Sequence, residues 1–120
     1  MTGMKVFTEK TGYTRTEFGS IFQCYARSVY RNIFRDLSIS EHQGKYLISF
    51  REEAGTKPLI TIEKKKLGPD RVLFTATTPG PRNTLMTVAR SEKIASFCEQ
   101  LEKVISALES NRSKNAAKHG

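Results

Sequence analysis

The most reactive side-chain types are scarce in this chain: two histidines, His42 and His119, and two cysteines, Cys24 and Cys98. Neither histidine stands at a spacing that suits a metal site or a nucleophile–base pair. His42 precedes Gln43-Gly44, a turn context. Cys98 lies at the edge of an apolar helical stripe, and Cys24 sits beside Phe22 and Tyr25, so both read as packing residues. Glu52-Glu53 falls at the end of a predicted strand, where solvated charge is the simple reading. There is no GxxxxGK[ST] or GxGxxG loop to cradle phosphates. The sequence therefore predicts no catalytic residue, no metal site and no cofactor, and a binding protein rather than an enzyme.

Basic residues offer a different chemistry. Twenty Lys and Arg against twelve Asp and Glu give a net charge of +8 on 120 residues, which favours a polyanionic partner. Lys64-Lys65-Lys66 ends a predicted strand, and alternation turns Lys65 away from its two neighbours. Lys45, Arg51, Lys65 and Arg71 are expected on one polar sheet face, placed to track phosphates. Tyr30 and Phe34 are candidate stacking rings for bases, with Arg31 and Arg35 adding charge beside them and Arg82 a further basic contact. Arg27, Arg31 and Arg35 recur every fourth residue, which clusters them on a helix or a strand. Tyr30 and Phe34 have an equal alternative as core or dimer-contact residues.

The elements that must position these groups follow from periodicity. Ile94, Phe97, Leu101, Val104, Ile105 and Leu108 make one helical stripe, so an amphipathic helix is expected over about Ser91 to Leu108, with Ser91 as cap. Ahead of it come five strand-like segments bounded by turn residues: 32–40, 45–52, 59–66, 71–77 and 84–89. Short connections make neighbours antiparallel. The expected fold is α+β, an antiparallel β-meander whose apolar face is covered by the C-terminal helix. Phe18, Ile21, Phe22, Tyr25, Val29 and Ile33 have helical spacing, with Thr16 as a candidate cap. The same stretch is β-branched and aromatic enough for a strand, so residues 1–31 are left as helix or strand. Met4 to Phe7 is a further candidate strand. Residues 1–108 are expected as a single domain and 109–120 as a flexible tail.

Two distant cysteines favour a reducing compartment over a disulfide framework. The first ten residues lack an apolar signal core, and no apolar run reaches the length of about 18 that spans a membrane. An intracellular location is expected.

The stretch FRDLSISEHQGKYLISFREE, Phe34 to Glu53, resembles the paired strands of single-stranded DNA-binding coactivators of the positive-cofactor type. The stretch PDRVLFTATTPGPRNTLMTVARSEKIASFCEQLEKVI, Pro69 to Ile105, is similar to the strand–loop–strand–helix end of a Pur repeat. Both families share, with the Whirly proteins, a β-meander plus helix. The resemblance implies a homodimer with single-stranded nucleic acid laid on the sheet face opposite the helices. It implies that Lys45, Arg51, Lys65 and Arg71 match the binding positions in kind. This chain departs from the pattern in its fifth strand, its lack of a tandem repeat and its first 30 residues. A pleckstrin-homology-like domain, binding a phosphoinositide or a peptide, is the alternative, because it also ends in strands followed by one long helix. Extra strands in the N-terminal third would favour that alternative, and a helix there the first reading.

Overall fold

Helix α1 spans Arg15–Tyr30. The computed structural model describes the backbone of residues 12–119, with side chains through residue 111; the candidate strand at Met4–Phe7 lies outside the described residues. The ambiguous N-terminal third is thus helical where it is described. Its start is set by Thr14 rather than Thr16. The Thr14 hydroxyl accepts from the Glu17 amide at 3.1 Å, and the Glu17 carboxylate accepts from the Thr14 amide at 2.8 Å. This reciprocal capping box satisfies two amides that the first helical turn leaves unpaired. The helix ends at Arg31, and Asn32 turns the chain with φ of 60°.

Five strands follow as one antiparallel sheet in sequence order: β1 Asp36–His42, β2 Lys45–Arg51, β3 Ile60–Gly68, β4 Arg71–Pro79 and β5 Leu85–Ser91. The meander expected from turn spacing is present. Gln43 and Gly44 both have positive φ, 53° and 78°, which gives the two-residue hairpin turn whose twist matches its strands. β1 starts later than the segment 32–40 did. Ile33 and Phe34 precede the strand and plug the core instead of lying on it. Arg82 and Asn83 form the left-handed corner of a short 3₁₀ turn that joins β4 to β5.

Helix α2 spans Ile94–His119 and continues past Leu108, where the apolar stripe ends. Ser91 lies ahead of its first turn, and its hydroxyl accepts from the Lys93 amide at 3.1 Å. Both helices cover the same face of the sheet. Tyr25 of α1 packs on Phe50 of β2 with ring centroids 5.3 Å apart, and Phe97 of α2 packs on Phe74 of β4 at 5.7 Å. Ile48, Phe50, Ile60, Ile62, Phe74 and Ala76 supply the sheet side of the core, and Ile21, Phe97, Leu101 and Ile105 the helix side. Each large apolar side chain so buried contributes roughly 1.5–3 kcal/mol.

The covered face also contains a lysine. Lys64 follows Ile60 and Ile62 in the inward parity of β3 and is only 7% exposed. Its ammonium donates to Glu17 at 2.6 Å and to the Gly12 carbonyl at 3.0 Å, and sits 5.6 Å from the centre of the Tyr13 ring. Tyr13 is fully buried, and its hydroxyl donates to the Tyr46 carbonyl at 2.8 Å. Burial, first, and the nearby Glu17 and Glu63 carboxylates hold the Tyr13 hydroxyl protonated far above its ordinary range. Gly12 has φ of 74°, and a Cβ there would run into the Tyr46 ring. Gly12, Tyr13, Glu17 and Lys64 therefore latch the start of α1 onto the sheet. An ion pair this dry is held by its hydrogen bonds as much as by its charges.

Candidate functional site

The face of the sheet opposite the helices carries no covering element among the described residues. Strand register fixes what it presents. Ser38 pairs with Ser49, Ser49 with Thr61, Thr61 with Thr77 and Thr77 with Thr87. A row of hydroxyls therefore crosses all five strands. The next row reads Ser40, Leu47, Glu63, Thr75 and Arg90. Side chains at the middle of this face are half-buried by their neighbours alone, and Ser49 is 8% exposed. A hydroxyl offers one donor and two acceptor positions, so this row can meet phosphate oxygens and sugar hydroxyls equally.

Cations flank this row on both sides along the strands, Arg51 on one side and Lys45, Lys65 and Arg71 on the other. Arg51 reaches across β1, donating to the Ser38 hydroxyl and standing 3.5 Å from the Asp36 carboxylate. Lys45 pairs diagonally with Glu63 at 3.4 Å. Arg71 makes a two-pronged bond to Glu92, both contacts 2.9 Å. That bond, before any other cause, raises the Arg71 pKa and lowers that of Glu92. Lys65 and Arg90 make no ion pair within the described residues. They share the open face diagonally across β4, because Lys65 opposes Leu73 and Arg90 opposes Thr75. Their charge is therefore uncompensated and available to a ligand.

Four of the residues singled out in the sequence thus share or border this face: Lys45, Arg51, Lys65 and Arg71. Arg35 lies just ahead of β1, 3.9 Å from Glu53, and Arg82 is exposed in the β4–β5 turn, at the same end of the sheet as Arg51. Three others are displaced. Phe34 is fully buried against Phe50, with ring centroids 5.5 Å apart, and offers no ring for stacking. Tyr30 is 95% exposed, but it closes α1 on the helical layer and is not on the sheet. Arg31 faces α2, 3.6 Å from Glu109, and Arg27 likewise pairs with Glu102 at 2.9 Å. The fourfold spacing of Arg27 and Arg31 ties the two helices together. Arg35 is cut off from them because the helix stops at Tyr30. No described aromatic residue lies on the open face, so the expected stacking surface is absent there.

Arg90 and the hydroxyl row were missed. Part of the signal existed in the alternating Ser and Thr of 38–40 and 75–77, but only the strand register shows which hydroxyls align. Alternation separates Lys65 from Lys64, and the parity of Lys64 with the buried Ile60 and Ile62 marks Lys64 as inward. Comparison with protein-family models, with curated proteins and with solved structures finds no match.

Proposed function

We propose that this chain is a binding module for single-stranded nucleic acid, without a catalytic step, that grips the sugar–phosphate backbone on its open sheet face. The observation that carries this reading is the row of five hydroxyls across the open face, accessible at all but Ser49, beside the unpaired cations Lys65 and Arg90. Hydroxyls and cations position a phosphate backbone without reading its bases. With no described ring on this face, base stacking by the described residues contributes nothing there, and little sequence preference is expected. The alternative of a pleckstrin-homology-like domain needed further strands in the N-terminal third. Residues 15–30 are a helix instead, which favours the nucleic-acid reading.

The functional unit of this proposal is a homodimer joined along β1. The opposite edge of the sheet is already engaged: the Gln100 amide accepts from the Arg90 N–H at 2.8 Å and donates to its carbonyl at 3.1 Å. That side chain occupies backbone groups which another strand would need. Among the described residues β1 has no such plug, and its sequence is self-complementary when two copies run antiparallel about Ile39. Asp36 then faces His42, Ser38 faces Ser40, and the partly exposed Ile39 meets its own copy. Such pairing joins two open faces into one.

A fluorescence anisotropy titration tests the reading, using a labelled oligo-dT or oligo-U strand with duplex DNA and inositol hexakisphosphate as competitors. Binding at low salt that weakens steeply as salt rises is expected, with single strands preferred. No binding at low salt, or preference for the inositol phosphate, rejects it.

A further inference from the structure

We infer that Cys24 and Cys98 are an oxidant-sensitive dithiol that closes into a disulfide across the interface between α1 and α2 when it meets a hydroperoxide. The two residues are 74 positions apart, yet the Cys24 thiol donates to the Cys98 backbone carbonyl at 3.9 Å. Each thiol is close enough to perturb the ionisation of the other. The helices that carry them are already held side by side by Arg27–Glu102 and Arg31–Glu109.

The pair is asymmetric in a way that suits stepwise oxidation. Both cysteines border an open cleft lined by Ser20, Gln23 and Arg27, but Cys24 is only 2% exposed whereas Cys98 is half-buried. The proximity of Cys24 lowers the Cys98 pKa, and the same proximity together with burial raises that of Cys24. Cys98 is thus the thiolate former and Cys24 the protonated, sheltered partner.

The chemistry balances as two steps. The Cys98 thiolate attacks one peroxide oxygen, the O–O bond breaks, and the departing hydroxide takes a proton to leave as water. Cys98 is now a sulfenic acid. The Cys24 sulfur, losing its proton, attacks the Cys98 sulfur, the S–O bond breaks, and a second water leaves. One peroxide is reduced, and two thiols are oxidised to one disulfide. The open sheet face is on the other side of the sheet, so this site stands whether or not that face binds nucleic acid.

The test is intact-mass spectrometry of the reduced full chain after one equivalent of hydrogen peroxide. A mass loss of about 2 Da, restored by dithiothreitol, is expected, with the chain still single on a non-reducing denaturing gel. The oxidised chain should melt at least about 5 °C higher, because the bridge closes a long loop. In Cys24→Ser or Cys24→Ala, dimedone should trap a sulfenic acid at Cys98. Diamide should close the same bridge in the unaltered chain, which needs no variant to fold. Oxygen adducts of about 16 or 32 Da on the unaltered chain without the 2 Da loss, or disulfide-linked dimers alone, overturn the proposal.

Discussion

The two faces of the sheet are built from alternate residues of the same five strands, yet they handle charge in opposite ways. On the covered face, Lys64 is enclosed by Glu17, Gly12 and the Tyr13 ring. On the open face, Lys45 and Glu63 pair one residue away, in water. Neighbours in sequence thus belong to different electrostatic worlds: desolvation makes the Lys64–Glu17 pair all-or-none, while solvent screens Lys45–Glu63 to a small value. The lesson is that net charge says little about available charge. Among the described residues, seven basic side chains are ion-paired. On the open face, Lys65 and Arg90 have no ion pair among the described residues.

Substitutions sharpen this contrast. The largest effect is expected in the covered core. Phe97→Ala removes the ring that packs on Phe74 and should lower the unfolding free energy by about 3–5 kcal/mol in urea denaturation. Thr77→Ala on the open face should stay within about 0.5 kcal/mol. Next comes the buried pair. Glu17→Gln leaves Lys64 charged and short of its partner, and should destabilise by about 3 kcal/mol. Glu63→Gln, breaking the solvated pair, should change stability by less than about 0.5 kcal/mol. Equal losses in these two variants contradict the account of the two faces.

Binding should show the reverse ranking. The double variant Lys65→Glu, Arg90→Glu should fold with an unchanged melting temperature and bind a single strand at least about tenfold more weakly, with a shallower salt dependence. The smallest effect concerns pH. Arg71 holds the Glu92 carboxyl below its ordinary value of 4.5, so the stability from this pair is complete above pH 4.5 and is lost as pH falls through the lowered folded value. The difference in melting temperature between the unaltered chain and Glu92→Gln should therefore be small at neutral pH and vanish in strong acid.

Much of the architecture was legible because alternation and turn residues are local signals. Tyr46, Ile48 and Phe50 alternate with Lys45, Leu47 and Ser49, and the structure keeps that division. The hydroxyl row was not legible, because register across five strands is a long-range property. The fate of Phe34 was hidden for a related reason: the strand begins two residues after it, and no turn residue announces the boundary. The position of Arg31 beside Glu109 was not legible, because a basic residue that pairs across two helices has the same sequence signature as one that waits for a phosphate. Helix α1 became certain only through the Thr14–Glu17 capping box, whose spacing was present but shadowed by Thr16.

One comparison of side-chain methyl signals tests the central claim directly. The threonine methyls of Thr61, Thr75, Thr77 and Thr87 report the open face, and the isoleucine methyls of Ile48, Ile60 and Ile62 report the covered one. On adding a short single strand at low salt, the threonine methyls should shift and saturate together while the isoleucine methyls stay fixed. Shifts confined to the helices, or none at all, contradict the assignment of function to the open face.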